Sequence, residues 1–461
     1  MGKTHRIAGK KRLIAKGQSA VDRRARQLCL ESLEEALDAV DPTKSVGTWL
    51  RSNQDRMLGG SPVPIRRGIV VLAVGKASLP MLTGALTVLR DQVVSGILVA
   101  PENEKLTGLD KRITTVRTGH PIPNGEGVRA ARHVMASIGQ MDTGSLLLCL
   151  ISGGASAMLP APAHGVTLDD KKEITRRLIR SRASIHQVNT VRRHLSELKG
   201  GRMVQRSRAR EVISLIISDV PENSLPDIAS GLTAPDPTTF RDAINVLREF
   251  DLWNSAPRSV KNHLEGGLVG HIPETPKPGD EVFQKVRNVI VADNRIACEA
   301  ARKVLNRNHA PATVLTSSVD MEARSLGRLL ASIAGDSETF GQPLKGPSAL
   351  VLGGETTVEV KGNGRGGRNQ ELALAALPRL AGLKGFALAA MGTDGIDGNS
   401  PAAGAIVDSE SMARAARIGL HFRKFTARND SYGFFRKLGD SLITGRTGTN
   451  VGDIYLLVRA K

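Results

Sequence analysis

Short apolar runs that end in glycine or polar residues alternate with helical periodicity along most of the chain. Three of these runs are Ile69–Val74, Leu146–Ile151 and Glu211–Ile217. Runs of this length and composition are typical of strands that are buried on both faces of a parallel sheet. Their alternation with helices predicts a doubly wound α/β domain.

A second series of apolar runs follows a segment that is rich in glycine and proline, at residues 266–279. Its members are Val289–Ala292, Ala312–Leu315, Ser348–Leu352, Thr356–Val360 and Phe386–Met391. Because such segments commonly mark domain boundaries, we predict one α/β domain at residues 24–270 and another at residues 280–461. Residues 1–23 are predicted to form a basic N-terminal tail.

The chain is strongly basic, with 64 Lys and Arg against 45 Asp and Glu, and a net charge of +19. Six lysines and arginines lie in the first sixteen residues, before the first acidic residue, Asp22. This pattern predicts a mobile, solvated tail. Aromatic residues make up only 3% of the chain, which leaves few surfaces on which bases could stack. We therefore do not expect a nucleic-acid partner, although the charge keeps an RNA-binding protein open as an alternative.

The apolar runs and the cysteines indicate a reducing compartment. No run approaches the roughly 18 apolar residues of a transmembrane helix, and no apolar segment of the secretory type follows the start. Cys29, Cys149 and Cys298 are far apart and lack metal-site spacing, so we expect reduced thiols in the core. These features predict a cytoplasmic protein without a membrane partner.

Lysine, carboxylate and glycine residues follow the predicted strands at the end where open α/β sheets bind ligands. Lys76 follows the first strand, the Ser152–Gly154 turn follows the second and Asp219 follows the third. In the second series, Glu355 follows Gly353 and Gly354, whereas Asp394 and Asp397 follow Phe386–Met391. Glycines let backbone N–H groups approach an anion. With lysine and carboxylates, they favour phosphoryl chemistry with a divalent metal.

The loop at residues 362–368 resembles a dinucleotide fingerprint, because Gly362, Gly364 and Gly367 satisfy G-x-G-x-x-G. However, no acidic residue lies about 20 positions further on, where recognition of a ribose requires one. Arg365 and Arg368 instead lie inside the loop, and arginine donates paired hydrogen bonds to phosphate oxygens. We therefore favour a phosphate-binding loop over a dinucleotide site or a plain flexible connection.

A helix is predicted at Ser184–Gly201, with a capping box between Ser184 and Gln187. Its polar stripe could present donors and positive charge to a substrate carboxylate, or could simply be a solvated face. The stripe contains Asn189, Arg192, Ser196 and Lys199. His120, in a Gly-His-Pro sequence, is interpreted as a turn residue near the site. The chain has neither G-x-x-x-x-G-K-[ST] nor H-R-D, which excludes P-loop enzymes and protein kinases.

Ten motifs in order resemble the type II glycerate kinases, the glycerate 2-kinase family, whose C-terminal part is known as the MOFRL domain. They are VGKAS (74–78), TGHPIPNGEG (118–127), ISGGASA (151–157), NTVRRHLSELKGGR (189–202), ISDVPEN (217–223), ASGLTAPDP (229–237), GGETTV (353–358), GRGGRNQE (364–371), GTDGIDG (392–398) and TGTNVGD (447–453). The resemblance implies two α/β domains, the first Rossmann-like, with the active site in the cleft between them. It also implies a MOFRL region at about residues 346–456.

The resemblance further implies ATP-dependent phosphorylation of D-glycerate at its 2-hydroxyl, which gives 2-phosphoglycerate and ADP. By motif, the catalytic residues are Lys76, Asp219 and Arg368, with Asp219 as either a Mg²⁺ ligand or the general base. The alternative is a hydroxypyruvate reductase that uses NAD(P)H, because some members of the family have been labelled so. A homodimer is left open as the oligomeric state.

Together, the residue pattern and the resemblance define an expected site that binds ATP, Mg²⁺ and D-glycerate. Its substrate-binding residues are Ser152, Gly153, Gly154, Asn189, Arg192 and Lys199. Its nucleotide-binding residues are Gly353, Gly354, Glu355, Gly364, Gly366, Gly367 and Asp394. Its metal ligands are Asp219 and Asp394.

Overall fold

The computed structural model describes residues 7–58 and 68–461. Within them, the strands are β1 (Ile69–Val74), β2 (Val93–Pro101), β3 (Ile113–Thr118), β4 (Leu146–Ile151), β5 (Glu211–Ile217), β6 (Val286–Ala292), β7 (Ala312–Val319), β8 (Ser348–Gly354), β9 (Phe386–Gly392), β10 (Gly404–Asp408), β11 (Ser441–Leu442) and β12 (Asp453–Arg459). The α-helices are α1 (Lys10–Ala15), α2 (Ala20–Ala39), α3 (Pro42–Leu58), α4 (Ser78–Leu89), α5 (Gly125–Gly139), α6 (Ala155–Met158), α7 (Leu168–Arg180), α8 (Ile185–His194), α9 (Arg202–Arg206), α10 (Phe240–Glu249), α11 (Arg258–Leu268), α12 (Asn294–Arg307), α13 (Ala323–Phe340), α14 (Arg368–Leu380), α15 (Ser411–Arg417), α16 (Phe422–Ala427) and α17 (Ser431–Leu438).

These elements form two compact units. One unit is Pro42–Val291, and the other combines the residues up to Asp41 with Ala292–Lys461. The predicted boundary at 266–279 differs from this division. The structure places β6 next to β5 in the first sheet, so the glycine- and proline-rich segment lies inside the first unit rather than after it.

The sheet of the Pro42–Val291 unit has the order β3-β2-β1-β4-β5-β6. The pairs β1–β2, β1–β4, β2–β3 and β4–β5 are parallel. This is the strand order of dinucleotide-type doubly wound folds, and it confirms the Rossmann-like prediction. All six residues of β4 are buried, as expected for a strand that is covered on both faces.

The sheet of the second unit has the order β11-β10-β9-β12-β8-β7 and is mixed. β7 runs parallel to β8, whereas β12 lies between β8 and β9 and is antiparallel to both. The apolar run Ser348–Leu352 continues as β8 through Gly353 and Gly354. The predicted strand Thr356–Val360 is wrong: apart from a single bridge at Thr357, this stretch has no strand pairing.

The prediction of a mobile tail is wrong for residues 7–23, which pack within the second unit, and residues 1–6 lie outside the described residues. α1 packs on α2, and α2 packs on β9 and β12. Arg26 is fully buried and donates to Asp408 at 2.8 Å and to Asp440 at 2.7 Å. The count of positive charges misled the prediction, because Leu13 is buried and carboxylates neutralise the arginine.

Two further expectations concern the cysteines and the membrane. The cysteines are free and buried, as predicted. Burial raises the pKa of Cys29 and Cys149 to about 12, so both remain thiols at neutral pH. In the part of the chain that the structure describes, no helix combines the length and the apolar character that crossing a bilayer would require.

Candidate active site

The carboxyl ends of β1, β4 and β5 align at one edge of the first sheet. Val74 pairs with Ile151, and Ile151 pairs with Ile216. The segments that follow these strands therefore begin side by side, and the Lys76 N–H donates to Gly153 O at 2.9 Å. The side chain of Lys76 is exposed at this edge. This register brings the three strand ends together, as predicted.

Gly153 and Gly154 let three side chains approach the turn after β4. A Cβ added at Gly153 would collide with the Asp219 carboxylate. Gly154 has φ +86°, and a Cβ there would lie 2.8 Å from the His120 ring and 3.4 Å from Lys76 Cγ. Lys76, Asp219 and His120 are thus gathered around two glycines whose lack of a side chain makes the approach feasible.

His120 is not only a turn residue, because its ring packs beside Gly154 and Lys76. Burial, together with the positive charge of Lys76, lowers the pKa of His120 to about 4. Its imidazole is therefore neutral at physiological pH, and it offers one donor and one acceptor beside the lysine. The Gly-His-Pro sequence identified the turn but not the packing of the ring on Gly154.

Ser152 faces the protein rather than the open edge. It is 2% exposed, and its hydroxyl accepts a hydrogen bond from the Ala77 N–H at 3.0 Å. This bond holds the β1–α4 loop to the turn after β4. Of the predicted Ser152–Gly154 group, the serine therefore fixes the loop that carries Lys76. Gly153 is also buried, and Gly154 alone is partly exposed.

The helix predicted at Ser184–Gly201 is shorter in the structure, because α8 ends at His194. The Ser184–Gln187 capping box is present as predicted. Asn189 is 1% exposed and donates to Asp227 O at 3.3 Å and to Asp227 Oδ1 at 3.1 Å. The predicted polar stripe is therefore not a solvent-facing row on one helix.

Lys199 is 1% exposed, and its Nζ donates to Ser156 O at 2.9 Å and to Ser156 Oγ at 3.0 Å. Burial and the charges of Lys171 and Arg192 lower the pKa of Lys199 well below its usual range. Arg192 is partly exposed, and burial lowers the pKa of Arg192 as well. Among the described residues, the Arg192 guanidinium forms no ion pair or side-chain hydrogen bond. Arg192 therefore carries positive charge without a described counter-ion, near Lys199, whose Nζ contacts Ser156 two residues after Gly154.

Sequence reasoning missed three residues that connect these groups. Ser156 Oγ lies 2.8 Å from Ser230 Oγ, and Ser230 Oγ donates to Asn189 Oδ1 at 2.9 Å. Ser156 belongs to the ISGGASA motif and Ser230 to ASGLTAPDP. Asp227, which holds the Asn189 amide, lies two residues before the second motif. Ser156 and Ser230 both lie in recognised motifs. The periodicity of α8 alone could not show that they are linked to Asn189 by hydrogen bonds.

Arg368 begins α14 in the second unit and is held by two carboxylates. Its Nε and Nη2 donate to Asp453 at 2.5 and 3.1 Å, and its Nη1 donates to Glu355. Although burial opposes the charge, these carboxylates raise the pKa of Arg368. Burial raises the pKa of Asp453 to about 6 despite the arginine. Asp453 ends the TGTNVGD motif but was not among the predicted site residues.

Asp453 lies between the ends of two strands, since it pairs with Gly354 of β8 and with Gly392 of β9. A Cβ added at Gly392 would lie 3.4 Å from an oxygen of Asp453 and 3.4 Å from an oxygen of Asp394. Asp394 is partly buried and accepts from the Ile396 N–H at 3.0 Å. Within residues 7–58 and 68–461, no group of three or more His, Cys, Asp or Glu side chains is arranged to hold a metal ion.

Gly353 and Gly354, predicted to bind nucleotide, are buried in β8. A Cβ at Gly353 would collide with the Asn294 side chain, and a Cβ at Gly354 with the backbone of Val319. Their small size is thus required by neighbouring protein atoms. Of this predicted group, only Glu355 extends from the strand end, with about half of its side chain exposed.

The glycine loop at 362–367 uses its N–H groups within the second unit. The N–H groups of Gly364, Arg365 and Gly366 donate to Arg428 O, Asp430 Oδ1 and Asn399 Oδ1 at 2.8, 3.1 and 2.8 Å. The start of α14 is capped by Asp397, whose carboxylate is 1% exposed and accepts from the N–H groups of Asn369 and Gln370. Gly367 packs against the same carboxylate. The donors that would hold a phosphate are largely engaged.

Comparison with known proteins identifies both halves of the chain. Residues 28–265 match the model of a domain of unknown function, DUF4147, and residues 348–453 match the MOFRL family. A glycerate 2-kinase of Pyrococcus horikoshii is 36% identical, over 94% of this chain and 97% of the relative. A protein of Agrobacterium vitis with the provisional name hydroxypyruvate reductase is 35% identical, over 94% of each chain.

A solved structure also has a similar fold. A crystal structure of a glycerate kinase from Thermotoga maritima superposes with a TM-score of 0.84 at 35% identity. The match covers 94% of this chain and 99% of that one. With relatives of this identity over nearly the whole length and a MOFRL match in the expected place, this chain belongs to the glycerate 2-kinase family.

Proposed function

We propose that this protein transfers the γ-phosphoryl group of ATP to the 2-hydroxyl of D-glycerate and releases 2-phosphoglycerate and ADP. The observation that carries the proposal is the gathering of Lys76, Asp219 and the Gly153–Gly154 turn at one sheet edge. Membership of the glycerate 2-kinase family and the names of the relatives support the same reaction.

Lys76 is proposed to neutralise charge on the transferring phosphoryl group. Phosphoryl transfer asks the protein mainly for positioning and electrostatic stabilisation. The Lys76 ammonium suits that task because it is exposed while its stem packs beside Gly154. In the second unit, Arg368 is proposed to bind the phosphoryl group through the N–H groups that are not bonded to its two carboxylate partners. Of its five N–H donors, three make the contacts to Asp453 and Glu355.

Arg192 is proposed to bind the carboxylate of the acceptor. Its guanidinium lacks a counter-ion among the described residues, and arginine pairs with carboxylates through two parallel hydrogen bonds. Lys199 contributes the hydrogen bond from its Nζ to Ser156 Oγ. Asn189 is proposed to orient this group rather than to touch the substrate, because its amide is already bonded to Asp227 and Ser230.

The carboxylates fit a role in holding Mg²⁺ with ATP. Mg²⁺ prefers oxygen ligands and is commonly bound by one or two carboxylates together with substrate phosphates. Asp219, partly exposed at the end of β5, and Asp394, partly exposed after β9, are each such a carboxylate in their own unit. The ion supplies charge neutralisation at the phosphates. Whether Asp219 holds the ion or accepts the proton of the 2-hydroxyl is left open.

Nucleotide contacts in the second unit are proposed to use side chains more than the glycine loop. Arg368, Glu355 and Asp394 lie around the ends of β8 and β9, whereas the N–H groups of Gly364 and Gly366 are bonded within the unit. Gly353, Gly354 and Gly367 are proposed to shape this edge by letting neighbouring groups approach. The same bonding argues against the reductase alternative, because a dinucleotide site needs free loop N–H groups.

An assay of ADP release tests the proposed reaction directly. Purified protein with ATP, Mg²⁺ and D-glycerate should release ADP, and omission of either glycerate or Mg²⁺ should abolish the release. Phosphorus NMR of the product should show the phosphate on the 2-oxygen. Oxidation of NADPH or NADH with hydroxypyruvate, without ADP release from glycerate, would identify a reductase instead.

A further inference from the structure

Four side chains form a hydrogen-bonded chain from the interior of the Pro42–Val291 unit to the glycine turn. They run from Asp227 through Asn189 and Ser230 to Ser156. Asn189 and Ser230 are buried, whereas Ser156 is partly exposed. Ser156 is therefore the member of this chain that a ligand can reach, and it lies two residues after the glycine on which His120 and Lys76 pack.

The direction of each hydrogen bond in this chain is determined from its buried end. The Asn189 amide nitrogen faces the carbonyl and the carboxylate of Asp227, and both of those groups only accept. The amide oxygen of Asn189 must therefore face Ser230. Because that oxygen can only accept, the single hydroxyl hydrogen of Ser230 is used on Asn189.

The same reasoning determines the state of the Ser156 hydroxyl. Ser230 has no second hydrogen, so the 2.8 Å contact between the two serines requires Ser156 to be the donor. Lys199 Nζ then donates to Ser156 Oγ, and it can do so whether the amine is charged or neutral. A hydroxyl oxygen has two lone pairs. After the bond from Lys199, one lone pair of Ser156 remains.

We infer that Ser156 is a specificity-determining residue that accepts a hydrogen bond from a hydroxyl group of the acceptor substrate. With its hydrogen engaged by Ser230, Ser156 cannot donate to a carboxylate or a carbonyl oxygen. A carboxylate or carbonyl oxygen would face the remaining lone pair of Ser156 Oγ and be repelled by it. A hydroxyl of the substrate would instead donate its hydrogen to that lone pair. Ser156 therefore selects hydroxy acids over oxo acids or deoxy acids, and Arg192 recognises the acid group. The inference rests on the proposed kinase reaction.

The test compares Ser156→Ala with two acceptors that differ in one hydroxyl. ADP release gives kcat/KM for D-glycerate, and competition gives the inhibition constant of D-lactate, which lacks the 3-hydroxyl. Losing one hydrogen bond between neutral hydroxyl groups corresponds to about 2- to 10-fold. If Ser156 binds the 3-hydroxyl of D-glycerate, Ser156→Ala lowers kcat/KM for D-glycerate by this factor and leaves the inhibition constant of D-lactate unchanged. If it reads the 2-hydroxyl, both weaken. Either result supports the inference, and less than a twofold change in both overturns it.

Ser230→Ala provides the matched control, because it removes the next link but leaves the Ser156 lone pair in place. It should reduce kcat/KM less than Ser156→Ala does. An equal or larger reduction would mean that the effect comes from packing, which would also overturn the inference. Thermal unfolding of each variant shows that it is folded, and Ser156→Thr, which retains the hydroxyl, should recover part of the lost activity. Failure of the wild-type protein to release ADP would contradict the proposed reaction itself, a result distinct from these.

Discussion

The Gly153–Gly154 turn and the 362–367 loop have similar compositions but opposite surroundings. Around the turn, the neighbours are the functional groups Lys76, Asp219 and His120, and the lysine is exposed. Around the loop, the neighbours are capping groups such as Asp397, which bond to the backbone. A glycine-rich sequence thus indicates that another group approaches the backbone closely. It does not indicate whether that group belongs to a ligand or to the protein itself.

Lys76→Ala should have the largest effect if the open turn is where chemistry occurs. Loss of a cation that stabilises a transferring phosphoryl group costs on the order of 10³-fold in kcat. We expect a loss of this size, with a modest change in KM for ATP. Lys172→Ala is a matched control, because Lys172 is a lysine on α7 that pairs with Asp169 at the surface. A Lys76→Ala enzyme with nearly normal kcat would remove the distinction between the two glycine regions.

Arg368→Ala tests whether the more closed region also contributes to chemistry. We expect kcat to fall by a similar order, about 10³-fold, with ATP affinity little changed. The substitution also leaves Asp453 buried without its cation, so the double variant Arg368→Ala/Asp453→Asn separates this effect by removing the unpaired charge. Weaker ATP binding with normal kcat at saturation would instead assign Arg368 to ground-state binding.

Arg192→Ala should affect the acceptor and spare the nucleotide. A charge-assisted hydrogen bond contributes roughly 1.5–3 kcal/mol, so KM for D-glycerate should rise about 10- to 100-fold. KM for ATP should change little. Arg193→Ala is not a suitable control, because Arg193 pairs with Asp236 in the interior. Arg180→Ala, in the last turn of α7 at the surface, is suitable. Equal increases in both KM values would exclude Arg192 from the acceptor site.

Two glycine substitutions compare the regions directly. Gly153→Ala pushes a methyl group against Asp219, which is partly exposed and can move, so activity should fall about tenfold or more while stability changes little. Gly367→Ala pushes against buried Asp397. Overpacking of this kind costs about 1–3 kcal/mol, which urea unfolding would detect. Gly139→Ala is the control, because an added Cβ there has no neighbour within 4 Å.

The smallest expected effect is a shift in the titration of His120. Its pKa is lowered to about 4 by burial and by Lys76, so Lys76→Met should raise it part of the way towards the ordinary value of about 6.5. NMR titration of the imidazole measures this. Because the unfolded state binds the proton more tightly, His120 reduces stability as pH falls from about 6.5 to about 4. This loss should be smaller in Lys76→Met. An unchanged pKa would mean that Lys76 points away from the turn.

Three of the six strands of the first sheet could be predicted from sequence to the residue, whereas β2, β3, the place of β6 and much of the site could not. β1, β4 and β5 are apolar runs whose burial on both faces leaves a clear signal. The region after α8 gave a misleading signal, because its apolar residues keep helical spacing beyond His194 although the helix ends there. Lys199 reaches Ser156 through tertiary packing. Asp453 was missed because its partner Arg368 is 85 residues away in sequence.

The burial of α2 in the second unit determines the order in which the protein can be completed during synthesis. Arg26 leaves the ribosome before its partners Asp408 and Asp440, which follow 382 and 414 residues later. At translation rates of about 5–20 residues per second, this delay is roughly 20 to 80 seconds. The intervening unit is synthesised during that time and can fold first. α2 is thus made before the intervening unit and docked after it, and a fusion that sequesters α2 would interfere with this later step of assembly.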